Sequence, residues 1–300
     1  MAEPDEGPSD ATPHVLAVDL GVRHLVAGVV GPDGEVGVRD RVVPPTRQPW
    51  VALTRLVDRV LAATPEESRP TVCGVTGPGP VLADIGEFRS VTVTGWEGVP
   101  IRRLVAETTG LPTVISSTGH AHAIANAPDD GHLIGLYLGD QVDGGIVRDG
   151  QLLSGANGHL GAFGHLLVDP NGPVCACGAT GCLDLYAGAV SLEAQFGREV
   201  SRVPDATVDR AGIMVARACA SLAAMLDIHR IVLGGPVVTA LGRRLTDAMS
   251  AELDQRSRLV HLEEIHIRAV RQHVLVGGAA VARHRVATGG IDPAPAVTAT

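Results

Sequence analysis

Lysine is absent from the 300-residue chain, so all 24 basic residues are arginines, against 33 acidic residues and a formal net charge of −9. Such a chain has no lysine cluster that could follow a phosphate backbone, which argues against nucleic acid as a partner. Aromatic residues are also scarce, at 2%, whereas hydrophobic residues reach 45%. The core must therefore consist of Val, Leu, Ile and Ala, which is typical of a buried parallel sheet in an α/β protein.

Long apolar runs and an export signal are missing as well. No stretch reaches the roughly 18 apolar residues that a membrane helix needs. The first 13 residues are acidic and proline-rich, without the basic and apolar segments of a signal peptide. We therefore expect disordered tails at residues 1–13 and 290–300, no membrane contact and a soluble, cytoplasmic protein.

Apolar segments with strand and helix periodicity alternate along the chain. The order βββαβαβ in the first half indicates one half of a nucleotide-binding fold, and a second series of helices and strands follows a glycine-rich stretch after Gly150. The predicted helices and strands lie at 14–30 (two strands), 50–63 (helix), 71–76 (strand), 100–109 (helix), 112–115 (strand), 133–138 (strand), 211–226 (helix), 231–233 (strand) and 240–256 (helix).

Residues 155–187 combine a Gly- and His-rich run with the sequence Cys-Ala-Cys-Gly-Ala-Thr-Gly-Cys. This segment resembles the signature of the ROK family, which contains bacterial sugar kinases, glucokinases among them, and sugar-responsive repressors. The resemblance extends from His14 to about His284. It includes a first phosphate turn at Asp19-Leu20-Gly21, a Pro-Gly-Pro-Val segment at 78–81 and a late Gly-Gly turn at 232–235.

The resemblance implies an α/β fold of two lobes, similar to actin, hexokinase and ribonuclease H, with a structural zinc loop. We expect residues 14–118 to form the smaller lobe, a helix at about 275–289 to pack back on it, and residues 119–274 to form the larger lobe. Homodimers are usual in the family, and we expect one here. Repressors of the family carry a winged helix-turn-helix domain ahead of the kinase-like part. The 13 residues before His14 are too few for such a domain, so we expect a member without a helix-turn-helix domain.

Three of the five cysteines lie close together, which in an intracellular chain favours a metal site over disulfides. With the histidine at the family's spacing they make a Cys₃His set, and such a closed tetrahedral set suits Zn²⁺ in a structural role. The predicted ligands are His165, Cys175, Cys177 and Cys182.

The residues that would carry kinase chemistry are altered. In family kinases, an Asp in an Asn-Asp-Ala-Asn run takes the proton of the attacking sugar hydroxyl. Alignment of the preceding strand places Ser117 at the first Asn, Thr118 at this Asp and His120 at the second Asn. A threonine hydroxyl has no pKa near neutrality, so Thr118 cannot serve as general base.

Both phosphate turns have changed too. In the first, Asp19 and Gly21 remain, but Val22 and Arg23 replace a glycine and a threonine of the family. The second begins with Gly139 and now carries Asp140 and Asp143, each of which would repel a phosphate by about 1 kcal/mol or more. We therefore expect a vestigial nucleotide site, formed by Asp19, Gly21, Gly139, Gly234 and Gly235, and we expect neither ATP nor Mg²⁺ to be used.

The sugar contacts are also reduced, since Ala162 replaces a glutamate of the family and Asp184 stands where glutamate is usual. The resemblance leaves Thr118, His120, His165 and Asp184 as candidate ligand contacts. His120 could form an acid/base pair with Asp140 or Asp143, because a carboxylate can orient an imidazole and hold its pKa near neutrality. Alternatively, these are solvated polar residues in a cleft that is no longer used.

We therefore predict a ROK-like zinc protein that binds a sugar-like or other polar metabolite, or that carries a repurposed active site in the cleft between the lobes. The alternative is an ATP-dependent carbohydrate kinase, similar to glucokinase, in which Asp19, Asp140 or Asp143 acts as base or Mg²⁺ ligand. In either case the partner is a small molecule.

Overall fold

The structure, a computed structural model, describes residues 12–82, 86–88, 95, 96, 98–129, 131–157, 160–255 and 265–291. Most of the two predicted tails, residues 1–11 and 292–300, lies outside these described residues.

The described residues contain short strands and eight helices. The strands are β1 Val15–Leu20, β2 Leu25–Val30, β3 Val36–Val42, β4 Val72–Gly77, β5 Val81–Leu82, β6 Glu87–Phe88, β7 Thr113–Ser117, β8 Leu133–Leu138, β9 Val142–Arg148, β10 Gln151–Leu152, β11 Arg230–Gly234 and β12 His266–Ala269. The helices are α1 Pro49–Ala63, α2 Ile101–Thr109, α3 Thr118–Asn126, α4 Asp184–Ala187, α5 Ala189–Phe196, α6 Asp205–Leu226, α7 Pro236–Asp254 and α8 Val274–Ala287. Helices α6 and α7 begin several residues before the predicted starts.

The first five-stranded sheet has the order β3-β2-β1-β4-β7. Strand β1 is antiparallel to β2 and parallel to β4. Both faces of β1 are covered, because Leu16 and Val18 belong to the same buried cluster as Leu53 of α1, whereas Val15 and Ala17 pack with Leu275 of α8. This two-sided burial explains why β1 is a nearly continuous apolar run.

Helix α8 lies very close to this sheet, and a pair of glycines makes this possible. A Cβ atom on Gly74 of β4 would fall 2.0 Å from the carbonyl oxygen of Gly278 in α8. The C-terminal helix therefore packs directly on the backbone of the first sheet.

The second sheet has the order β10-β9-β8-β11-β12, with β8 and β9 as an antiparallel hairpin and β11 parallel to β8. Helices α6 and α7 cover one face and contribute to the largest apolar cluster, while Ala123 of α3 packs on the other face. Each sheet thus begins with a hairpin whose turn faces the space between the two sheets. This is an α/β fold of two lobes, although the chain positions at which one lobe gives way to the other stay a prediction.

Among the residues that the structure describes, none of the helices combines the length and apolar character that crossing a membrane requires.

Candidate ligand cleft and metal centre

A cavity of about 710 Å³ lies between the two lobes. Its walls come from the β1–β2 turn, residues 78–80, the start of α3, the β8–β9 turn, α5 and the start of α7. Of the predicted site residues, those that line it are Asp19, Gly21, Thr118, Gly139, Asp140, Asp143, His165 and Asp184.

Asp19 is the last residue but one of β1, a strand that is buried throughout, and its side chain is almost without solvent contact. Thr76 of the neighbouring strand β4 donates its hydroxyl to Asp19 Oδ1 over 2.8 Å. Burial raises the pKa of Asp19 to about 7, the Thr76 hydrogen bond opposes the shift and the charge of Asp140 adds to it. A carboxyl that titrates near neutrality therefore lies at the wall of the cleft.

An ion-pair network crosses the cleft between the β1–β2 and β8–β9 turns, which correspond to the two phosphate turns of the family. Arg23, in the β1–β2 turn, donates from Nε to Asp140 Oδ1 in the β8–β9 turn over 2.7 Å. Its Nη2 lies 2.8 Å from Oε2 of Glu193 in α5. The side chains of Arg23, Asp140 and Glu193 are between 21% and 44% exposed to solvent. Asp140 therefore faces a cation of the opposite lobe, and we term Arg23, Asp140 and Glu193 the cross-cleft network.

Sequence reasoning missed this network, including the contribution of Glu193. Taken separately, Arg23 and Asp140 each indicate the loss of a phosphate contact. The available signal was that opposite charges replace family residues in two turns that the fold places face to face.

Asp143 is the second residue of β9, and its carboxylate lies at the start of α3. Oδ2 accepts the backbone N–H of Gly119 over 2.8 Å, and Oδ1 accepts the N–H of Gly144 over 2.9 Å. Burial raises the pKa of Asp143, while the Gly119 hydrogen bond and the nearby His120 charge act in the opposite direction. The carboxylate is thus adjacent to Thr118, the position at which the family carries its base.

His120 requires a correction. Its Nε2 lies 2.7 Å from the carbonyl oxygen of Leu160, and the residue does not belong to the described lining of the cavity. The predicted acid/base pair with Asp140 is not formed, since Asp140 pairs with Arg23. His120 is close enough to Asp143 to affect the pKa of that carboxyl, and its Nε2 contacts the backbone carbonyl of Leu160.

The two late glycines, Gly234 and Gly235, also lie outside the described lining of this cavity. A Cβ on Gly234 would fall 2.3 Å from Cε1 of His122, so this glycine makes room for a buried histidine. Burial lowers the pKa of His122 to about 4, which keeps the ring neutral. Gly235 has a φ of 104° and precedes α7, which explains glycine there without a nucleotide.

His165 and Asp184 line the cavity, as does Ala162. Asp184 Oδ1 accepts the backbone N–H of Val142 over 2.7 Å, which ties the start of α4 to the start of β9. Ala162 offers no polar side-chain group to a ligand, whereas Asp184 and His165 do.

The four predicted metal ligands come together in the cysteine loop, residues 165–182. One ligand atom from each of His165, Cys175, Cys177 and Cys182 lies within 4.8 Å of the other three. Gly178 and Gly181 have φ values of 90° and 72°, and a Cβ on Gly181 would collide with the carbonyl of Asp169. Glycine at these positions lets the loop fold tightly around the cluster. Three sulfur donors and one nitrogen donor form a set that could hold a metal ion.

The cluster and the cleft share His165, which lines the cavity and also belongs to the metal ligand set. The conformation of the cysteine loop therefore determines the shape of one wall of the cleft.

A family model described as the ROK family matches residues 15–284. The chain belongs to the ROK family. It is 30% identical over 194 residues to a glucokinase of Thermotoga maritima, an alignment that spans 62% of this chain and 60% of the glucokinase. It is 28% identical over 250 residues to an N-acetylmannosamine kinase of Shigella flexneri, spanning 76% of this chain and 84% of that kinase.

Among solved structures, the ROK hexokinase of Thermus thermophilus superposes with a TM-score of 0.75 at 27% identity and covers 92% of this chain and all of the hexokinase. The chain thus has the two-lobed sugar-kinase fold of this family.

Proposed function

We propose that this ROK-family protein binds a sugar-like metabolite in the cleft and does not transfer phosphate from ATP by the mechanism of the family. The observation that carries the proposal is the cross-cleft network. It joins the two turns between which the phosphates of a nucleotide would lie in the family.

The electrostatics of the cleft support this proposal. The polyphosphate tail of ATP would have to draw Arg23 away from Asp140 and Glu193, and it would then face both carboxylates, with Asp19 close by. Each close carboxylate opposes the anion by about 1 kcal/mol or more. Thr118 offers no base at the family position, which removes the usual route for the sugar proton.

Calorimetric titration tests the proposal directly. The zinc-loaded protein is titrated with Mg-ATP, D-glucose, N-acetylmannosamine, D-glucosamine and myo-inositol, and ADP formation is followed in parallel with each acceptor. We expect heat of binding from at least one polyol and none from Mg-ATP. Binding of Mg-ATP together with acceptor-dependent ADP formation would contradict the proposal.

A second function, ATP-dependent phosphorylation of a carbohydrate, is favoured by the extent of the cavity. The cavity runs from Asp184 without interruption to Pro236 and Ala240 at the start of α7, so space beyond the sugar end is preserved. The relatives named above are kinases, which also supports it. In that case the same titration gives ADP, and Arg23 moves from its carboxylates to the phosphates.

We further propose that the cluster in the cysteine loop holds one structural Zn²⁺, because three thiolates and an imidazole are typical zinc ligands. Elemental analysis of the purified protein should give about one zinc per chain, and a metal-free protein of unchanged stability would contradict this assignment. The cytoplasmic location, the homodimer and the absence of nucleic acid binding stay predictions, and sedimentation equilibrium tests the dimer.

A further inference from the structure

The first turn of α3 and the start of β9 are in direct backbone contact. A Cβ on Gly119 would fall 2.1 Å from the backbone nitrogen of Gly144, so there is no room for a side chain between the two segments. Asp143 therefore needs only its short side chain to reach the backbone N–H of Gly119.

This N–H belongs to the residue after Thr118, which is the first residue of the nine-residue helix α3. Ser117, the residue before the helix, already accepts the N–H of His120 over 3.2 Å. Asp143 thus places a carboxylate at the positive end of the helix dipole, where an anion is stabilised. This carboxylate belongs to a residue of β9 and not to the helix itself.

The same carboxylate forms part of the cavity wall. Asp143 and Thr118 both line the cavity, and so does Gly79 in the opposite lobe. A Cβ on Gly79 would lie 3.8 Å from Asp143 Oδ2, which shows how near the carboxylate lies to the segment at 78–80. Asp143 remains partly exposed, so a ligand in the cavity can contact it.

We infer that the carboxylate of Asp143 contacts the ligand. Although it belongs to β9, it replaces the acidic side chain that the family carries at the position of Thr118. The inference rests on the proposed function, since it requires that a sugar-like molecule occupies the cleft. A carboxylate held by two backbone N–H groups accepts further hydrogen bonds, so it selects a ligand that presents a hydroxyl or a protonated amine at this point.

Two variants separate ligand contact from a role in capping α3. Asp143→Asn keeps an oxygen that can accept the N–H of Gly119 but removes the charge. Asp143→Gly combined with Thr118→Asp removes the carboxylate from β9 and returns it to the first residue of α3. Asp209→Asn, at an exposed ion pair with Arg244 far from the cleft, is the matched control for loss of a carboxylate.

Calorimetric affinities for D-glucose, N-acetylmannosamine and D-glucosamine are measured for each variant, with thermal unfolding alongside. We expect Asp143→Asn to weaken binding by about 10-fold or more, because a charged acceptor is lost. We expect the double variant to recover most of this loss and Asp209→Asn to bind as the unmodified protein does. D-glucosamine should lose more affinity than D-glucose if the group at Asp143 is an amine, and the two should lose equally if it is a hydroxyl.

A pH series adds a measurement that a purely structural role would not change. Binding to the unmodified protein should weaken as the pH falls and Asp143 takes up a proton. Asp19, Asp140 and Asp184 line the same cavity, so the contribution of Asp143 is the difference between the pH dependence of the unmodified protein and that of Asp143→Asn, and this difference should not be zero. Equal affinity of the unmodified protein and Asp143→Asn, with only the stability changed, would leave Asp143 as a helix cap and overturn the inference. Failure of the unmodified protein to bind any of these three sugars or myo-inositol would instead overturn the proposed function, and the inference with it.

Discussion

Replacing Asp19 with Asn should stabilise the protein at and above neutral pH and have little effect in acid. Asp19 is almost fully buried at the end of β1, and burial raises its pKa from 3.8 to about 7. In the unfolded chain the carboxyl returns to its ordinary pKa. The folded protein therefore binds a proton at Asp19 more tightly than the unfolded chain does.

The sign and size of the effect follow from this difference. Between pH 4 and pH 7 the folded state holds more protons, so the free energy of unfolding falls as the pH rises through this window. A rise from 3.8 to about 7 corresponds to about 4 kcal/mol at about 1.4 kcal/mol per pKa unit. Asparagine cannot ionise, and it retains an oxygen that can accept the Thr76 hydroxyl. The free energy of unfolding of Asp19→Asn therefore does not fall through this pH window for this reason.

Urea unfolding of both proteins at pH 5, 6, 7 and 8 measures the effect. The stability gained by Asp19→Asn should grow with pH and approach about 4 kcal/mol at pH 8. Asp58→Asn, an exposed carboxylate on α1, is the control and should show no such growth. A difference between Asp19→Asn and the unmodified protein that is the same at every pH would refute the reasoning, because it would mean that Asp19 does not titrate in this range.

Three further predictions concern the metal centre, the cross-cleft network and the packing of β11 against α3. Cys177→Ser should reduce the zinc content below one per chain and lower the melting temperature, both measured on protein purified without added metal. Arg23→Ala should lower the free energy of unfolding by about 1–2 kcal/mol at low salt, and most of the difference should disappear in 1 M NaCl, because the network is partly exposed. Gly234→Ala should cost about 1–3 kcal/mol in urea unfolding because its Cβ would collide with His122, whereas Gly37→Ala, with 3.6 Å to its nearest neighbour, should cost little.

The parts of this molecule that sequence predicts well are those that depend on local patterns. The apolar run of β1 indicates a strand buried on both faces, and the apolar spacing of α1 gives its length almost to the residue. The metal ligands follow from residue chemistry and the spacing of one short loop, and the structure brings all four together.

The parts that sequence did not predict depend on contacts between segments that are far apart in the chain. His120 was assigned to the cleft because it stands at a ligand position of the family, but its ring turns to Leu160, 40 residues away. The nucleotide site that includes Gly234 stays a prediction, and no local pattern indicates that the neighbour of this glycine in space is His122. The direction of the His120 side chain and the space around Gly234 are both set by packing between distant segments, which no local pattern encodes.

The cross-cleft network shows why motifs that differ from the family pattern should not be counted as independent losses. Arg23 and Asp140 are 117 residues apart, and each alone removes a phosphate contact, but together they form one ion pair between the lobes. Asp143 removes a glycine from the second phosphate turn and at the same time brings a carboxylate to Thr118, where the family's own carboxylate is missing. Substitutions that compensate one another in space support the proposal that the cleft is kept for a ligand, and for this reason we expect it to bind one.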